Sequence, residues 1–176
     1  MTNEPEPAKR PVSAVLAGPY GHPFHPILVT VPIGAWVSSL VFDIGSRIVG
    51  EPGFLARGSV WLIAIGVVGA VAAALIGTLD LLAIPAGTPA FRTGLTHMSL
   101  NLVVTAAYVA GFFWRRAAGS GPGPVGAGPL VLSAAALVVL GASGYLGGKL
   151  AYRYGVRVAA ESTQAEGFRS AARQRS

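Results

Sequence analysis

Cysteine is absent from this chain. Its absence removes disulfides, thiolate zinc sites, iron–sulfur ligation by the chain's own residues and cysteine nucleophiles. Charge is nearly as scarce. Only 11% of the residues are Asp, Glu, Lys or Arg, against about 25% in a typical soluble domain, too few to clothe a water-exposed globule. A bundle flanked by lipid needs no such cover. With three histidines and no thiol, any bound metal or haem must draw on His, Asp, Glu, Asn or Met. The opening stretch MTNEPEPAKRPVSAVLAGP lacks a sustained apolar core and does not read as a cleaved signal peptide.

What the chain has in abundance is apolar sequence, 52% of its 176 residues. It gathers into four runs, Ile27–Val49, Ser59–Ile84, His97–Trp114 and Pro129–Tyr152. Each is near the roughly 20 residues that cross a hydrocarbon core about 30 Å thick. The runs are too long, and too free of polar alternation, for barrel strands. The breaks carry turn residues: Gly50-Glu51-Pro52-Gly53, Pro85 to Pro89, and a flexible Gly119 to Gly128. The expected fold class is therefore all-α, an integral membrane four-helix bundle. A segment 1–20 precedes it, the transmembrane domain covers 21–158, and a basic tail, disordered or lying on the membrane surface, covers 159–176. Glycines are read as packing devices: Gly66, Gly69 and Gly77 in the second run, and Gly144 with Gly148 in small-xxx-small spacing in the fourth.

The net charge is +6 and the pI near 10.3. The cations lie outside the apolar runs or, for Arg47 and Lys149, at their ends, so anionic lipid headgroups are the expected partner and nucleic acid is not. Nine cations (Lys9, Arg10, Arg92, Lys149, Arg153, Arg157, Arg169, Arg173 and Arg175) share one side. Arg47, Arg57, Arg115 and Arg116 take the other. That asymmetry places both termini in the cytoplasm of a multi-pass protein of the inner (plasma) membrane.

Ionisable residues at membrane depth mark function by default, and here they gather at one end. His22 and His25 lie in Gly21-His22-Pro23-Phe24-His25-Pro26, just before the first helix. His97 opens the third, four residues from Asn101 on the same face. Asp80 and Lys149 close the second and fourth. Pro26 suits a helical first turn, which makes His25 a cap position. Pro32 should kink the helix by freeing the Leu28 carbonyl. An imidazole pair, His25 and His97, with His22, Asp80 and Asn101 in support, suits a divalent metal or one haem b. The plainer alternative has the histidines capping backbone and Asp80 pairing with Lys149 or Arg92. The histidine spacing lacks the pattern of a zinc motif. Asp43 and Arg47, four apart, are expected to form a structural ion pair. The far end holds no histidine, so a second haem has no ligands there. Ser99, Ser133 and Ser143 show no triad arrangement, and no residue names a reaction. Trp36, Trp61, Trp114, Tyr145, Tyr152 and Tyr154 are read as interfacial anchors or packing.

Three stretches then carry a family likeness. Gly21 to Pro26 with Val31-Pro32-Ile33-Gly34-Ala35-Trp36 and Asp43 resembles the opening of the domain of unknown function 2231 family, bacterial membrane proteins. Gly77-Thr78-Leu79-Asp80 with Ile84-Pro85, Arg92 and His97 through Asn101 resembles its middle. Gly144 through Tyr152 with Gly155-Val156-Arg157-Val158 is similar to its closing stretch. The resemblance implies a four-helix membrane domain. Some relatives are joined to Rieske-type iron–sulfur domains, and the helical arrangement is akin to that of b-type cytochromes. It therefore implies a redox setting and a redox protein partner, but no catalytic role. The functional expectation is a redox-associated membrane protein holding one haem or metal ion. The alternatives are a non-enzymatic membrane scaffold or anchor, and a small ion or proton transporter using Asp80, His97 and Lys149, for which no inverted repeat is evident.

Overall fold

The computed structural model describes residues 21, 23–119 and 122–168. They form α1 (Phe24–Leu28), α2 (Thr30–Ser46), α3 (Gly53–Leu82), α4 (Pro89–Ala117), α5 (Ala127–Tyr152) and the short α6 (Glu161–Glu166). The unit Phe24–Ser46 and the helices α3, α4 and α5 are each long and apolar enough to cross a membrane. The chain is thus an all-α membrane bundle.

Local chemistry sets the boundaries. Pro32 has no N–H for the Leu28 carbonyl, and the helix is interrupted one residue later, at Val29. α4 starts eight residues ahead of its apolar run. Thr88 caps it by accepting from the Phe91 N–H at 3.1 Å, and Pro89 fills the first turn, where no donor is needed. Hydropathy passes over this turn because Arg92, Thr93 and Thr96 dilute it. His25 is not a cap: α1 begins at Phe24 after Pro23, and the imidazole reaches across to α3. The turn between α4 and α5 is pinned at Val125, whose N–H donates to Ser46 Oγ at 3.1 Å and whose carbonyl accepts from Arg47 at 2.7 Å.

α2 packs chiefly on α3 and α4 on α5, α3 also meets α4, and α5 touches α2 least. The four long helices stand in a ring in chain order, with α2 diagonal to α4. Val41, Val68 and Val138 point outward, 60%, 71% and 74% exposed, as lipid-facing side chains do. The buried centre is Trp36, Ile63, Val104, Tyr108 and Ala136.

The two hairpins repeat each other. His25, Trp36 and Asp43 are spaced by eleven and then seven residues, and so are His97, Tyr108 and Arg115. Their partners repeat as well. His25 Nδ1 donates to the Ala73 carbonyl at 2.9 Å and His97 Nδ1 to the Ser143 carbonyl at 2.7 Å. Trp36 Nε1 donates to the Ile63 carbonyl at 3.4 Å and the Tyr108 hydroxyl to the Ser133 carbonyl at 3.3 Å. Both hairpins begin at the same end of the bundle, so the repeat is parallel, about an axis running along the bundle. Equivalent residues meet across that axis in three tiers. The His25 and His97 rings lie 6.4 Å apart at 81°. Trp36 and Tyr108 stack at 4.2 Å and 7°. Asp43 and Arg115 form an ion pair at 2.6 Å. At 1.5 Å of rise per residue the outer tiers are about 27 Å apart, close to the full depth of a hydrocarbon core.

Candidate functional site

The two diagonal helices are kept apart by what stands on the axis. In the middle, Trp36 and Tyr108 fill the gap, each 1% exposed. Toward the histidine tier the gap widens into a cavity of ≈ 430 Å³, within the span of roughly 300–1,000 Å³ typical of small-molecule sites. Its lining is overwhelmingly apolar, with Ala70, Ala73, Ala74 and Gly77 of α3 along one wall. Its polar lining includes His25, His97, Asp80, Asn101 and Arg157.

The histidines are held from behind. A backbone carbonyl only accepts, so each Nδ1 carries the proton, and in a neutral ring Nε2 is left with its lone pair. That arrangement orients an imidazole for a metal. Glycine makes it sterically feasible. A Cβ on Gly77 would stand 2.8 Å from His25 Cε1, and one on Gly147 would stand 3.0 Å from His97 Cε1. These two glycines are also equivalent in the repeat. Gly144, by contrast, has nothing within 4 Å, so its spacing to Gly148 is not where the helices close up. Asn101 Nδ2 lies 2.9 Å from Ser143 Oγ, 2.9 Å from the His97 carbonyl and 3.2 Å from His97 Nε2. Two amide hydrogens cannot serve three acceptors fully. The longest contact, to Nε2, is the one most readily surrendered.

The other expected members of the layer are placed differently. Asp80 pairs with Arg157 at 3.0 Å, not with Lys149 or Arg92. Lys149 turns away, its Nζ 5.7 Å from the Tyr154 ring centroid, so the Asp80–His97–Lys149 relay is not assembled. His22 lies outside the described residues. Among the described residues no group of three or more His, Cys, Asp or Glu side chains could hold a metal ion. His25 and His97 thus come together without a third ligand of that kind.

At the opposite end the expected Asp43–Arg47 pair does not form. Arg47 is drawn to the Val125 carbonyl, and Asp43, fully buried, takes Arg115 instead. Ser59 Oγ donates to Asp43 at 2.5 Å, while Arg115 also donates to Ser133 Oγ and the Pro129 carbonyl at 3.0 and 3.2 Å. One ion pair therefore ties α2, α3, α4 and α5 together. The aromatics separate likewise. Trp61, Tyr145 and Tyr152 are 73%, 76% and 92% exposed, as anchors would be, whereas Trp36 is a core residue stacked on Tyr108. Of the residues missed in sequence, Tyr108 and Arg115 had one available signal, the identical eleven-and-seven spacing in the two halves, and Arg157 had none.

A family model described as a predicted membrane protein, DUF2231, matches residues 21–160. No curated protein and no solved structure matches the chain.

Proposed function

Because the chain belongs to the DUF2231 family of predicted membrane proteins, its function is to be read from the site, and we propose that the cavity holds one haem with His25 and His97 as its two protein ligands. The observation that carries this reading is the imidazole pair on the repeat axis, 6.4 Å between ring centres. A metal ion ligated by both rings needs two metal–nitrogen bonds of about 2.0–2.1 Å. Adding the reach from each nitrogen to its ring centre gives roughly 6.3 Å between centres when both Nε2 atoms face the metal, a separation the two rings would meet once Asn101 gives up its contact with His97 Nε2. A quinone ring hydrogen-bonded between the two nitrogens would need several ångströms more. A zinc-type site wants three or four protein ligands, whereas a porphyrin supplies four of its own and asks the protein for two. The apolar walls, the anchored Nδ1 atoms and the glycines behind both rings fit such a group.

A bound haem would supply one-electron chemistry, and the role of this chain is to hold and insulate it. His25 and His97 would ligate it. Ala73 and Ser143 fix their rings through backbone carbonyls, and Asn101 steadies Ser143. The Trp36–Tyr108 stack floors the cavity and keeps solvent from the other half of the bundle. In this reading the protein is a membrane electron carrier or redox subunit, working beside a redox protein partner in the inner (plasma) membrane. The cation asymmetry supports cytoplasmic termini and contact with anionic headgroups. Arg115, drawn into the core, leaves that loop count, which sharpens the asymmetry.

The test is a titration of the detergent-purified protein with haem. One equivalent should bind, with a sharp Soret band, and either His25→Ala or His97→Ala should abolish six-coordinate binding. Saturation without spectral change, or an unchanged spectrum in both variants, contradicts the reading. A scaffold would show neither binding nor a histidine requirement.

A further inference from the structure

Beyond Tyr152 the chain doubles back, and Val156 and Arg157 join the lining of the cavity. The Tyr154 and Val156 N–H groups donate to the Lys149 and Leu150 carbonyls at 3.2 and 3.0 Å, and Gly155 reverses the chain at φ +66°. Two residues on, Arg157 adopts φ 60°, the one non-glycine residue with positive φ among those described. A side chain with a Cβ holds that backbone only against steric strain. The guanidinium is carried inward, 7% exposed, to line the same cavity as the two histidines.

What it meets there is an incomplete partner. Nε stands 3.0 Å from Asp80 Oδ1, yet its N–H is not aimed along that line and finds no hydrogen-bond partner among the described residues. The pair has attraction without the directed, charge-assisted bond that makes Arg–carboxylate contacts strong. A buried donor left unmet is unfavourable, because it has given up water without gaining a partner. Backbone strain, burial and an unmet donor thus fall on one arginine at the rim of an otherwise apolar chamber. Asp80 offers one carboxylate from the side, and Arg157 Nε is buried without a hydrogen-bond partner among the described residues.

We infer that Arg157 is the counter-ion for a carboxylate carried by the cavity's ligand, with Asp80 holding the guanidinium in position. The inference deepens the haem reading, on which its choice of probe rests. Haem carries two propionates on one edge and is apolar elsewhere, so its acidic edge would lie at the rim beside Arg157. A fatty acid offers the same carboxylate on an apolar body, and the experiment separates the two sources.

The purified full-length protein is titrated with haem and with haem dimethyl ester, and in parallel with oleate and methyl oleate. Wild type should bind one acid more tightly than its ester by roughly tenfold or more, the worth of one charge-assisted hydrogen bond. Arg157→Gln should erase that preference while leaving ester affinity unchanged, and Arg157→Lys should keep part of it. If haem does not bind and oleate alone shows the preference, the carboxylate role stands and the haem reading fails. If haem binds but acid and ester bind alike, the haem reading stands and the Arg157 role fails. Equal affinities in wild type settle the matter against Arg157 even if the Gln variant does not fold.

Discussion

Asp43 and Arg115 occupy equivalent positions in the two hairpins, each eighteen residues beyond its histidine, and the pair should therefore tolerate exchange. Asp43 is fully buried and Arg115 side-chain exposure is 5%. Removing either partner strands the other's charge in the bundle, at about 3–5 kcal/mol. Asp43→Ala and Arg115→Ala should each lower stability by that order. The double alanine variant should cost much less than their sum, because no unpaired charge remains. The informative variant is the exchange, Asp43→Arg with Arg115→Asp. Ser59 Oγ now donates to Asp43 and Ser133 Oγ accepts from Arg115. Either hydroxyl can reverse its role, so the exchanged pair keeps a polar neighbour on each side. It should recover more than half of the single-variant loss. The assay is unfolding in mixed detergent micelles followed by circular dichroism, analysed as a double-mutant cycle. An exchange variant no more stable than the worse single would refute the equivalence of the two positions, and additive alanine losses would refute the pair's importance. Variants that fold should keep the histidine site, which lies about 27 Å away.

Gly77→Ala and Gly147→Ala should each displace a ligand ring, through the 2.8 and 3.0 Å approaches to His25 and His97, and lower haem affinity at least tenfold. Gly141→Ala, with nothing within 4 Å, serves as the silent control, and haem titration reads all three. Trp36→Ala removes a wholly buried ring and its stack on Tyr108. It should destabilise the bundle by about 3–5 kcal/mol in the same unfolding assay, more than Trp61→Ala on the exposed face.

Much of the bundle was legible because lipid imposes a simple rule: apolar runs near 20 residues make spanning helices. The same rule hid the first turns of α4, where Thr88 capping and Pro89 replace hydropathy as the signal. The histidine pair was legible because ionisable groups are rare at such depth. The partners of those groups were not. Asp43 had Arg47 in helical register, and only the ring order of helices, with α2 diagonal to α4, hands it to Arg115. Asp80 likewise had Lys149 and Arg92 as nearer candidates. It found Arg157 because Gly155 turns the chain back after α5, a tertiary event with no periodic signature. Trp36 looked like its fellow aromatics in composition, but it lies on the bundle axis, stacked on Tyr108, where Gly66 leaves room for the indole.

The central claim is that two imidazoles from equivalent hairpin positions flank one iron, and electron paramagnetic resonance of the ferric haem-loaded protein tests it most directly. If both histidines hold the haem, the protein should give a low-spin signal, and His25→Ala or His97→Ala should convert it to high spin. A high-spin signal from the wild type, or a low-spin signal that survives loss of either histidine, contradicts it.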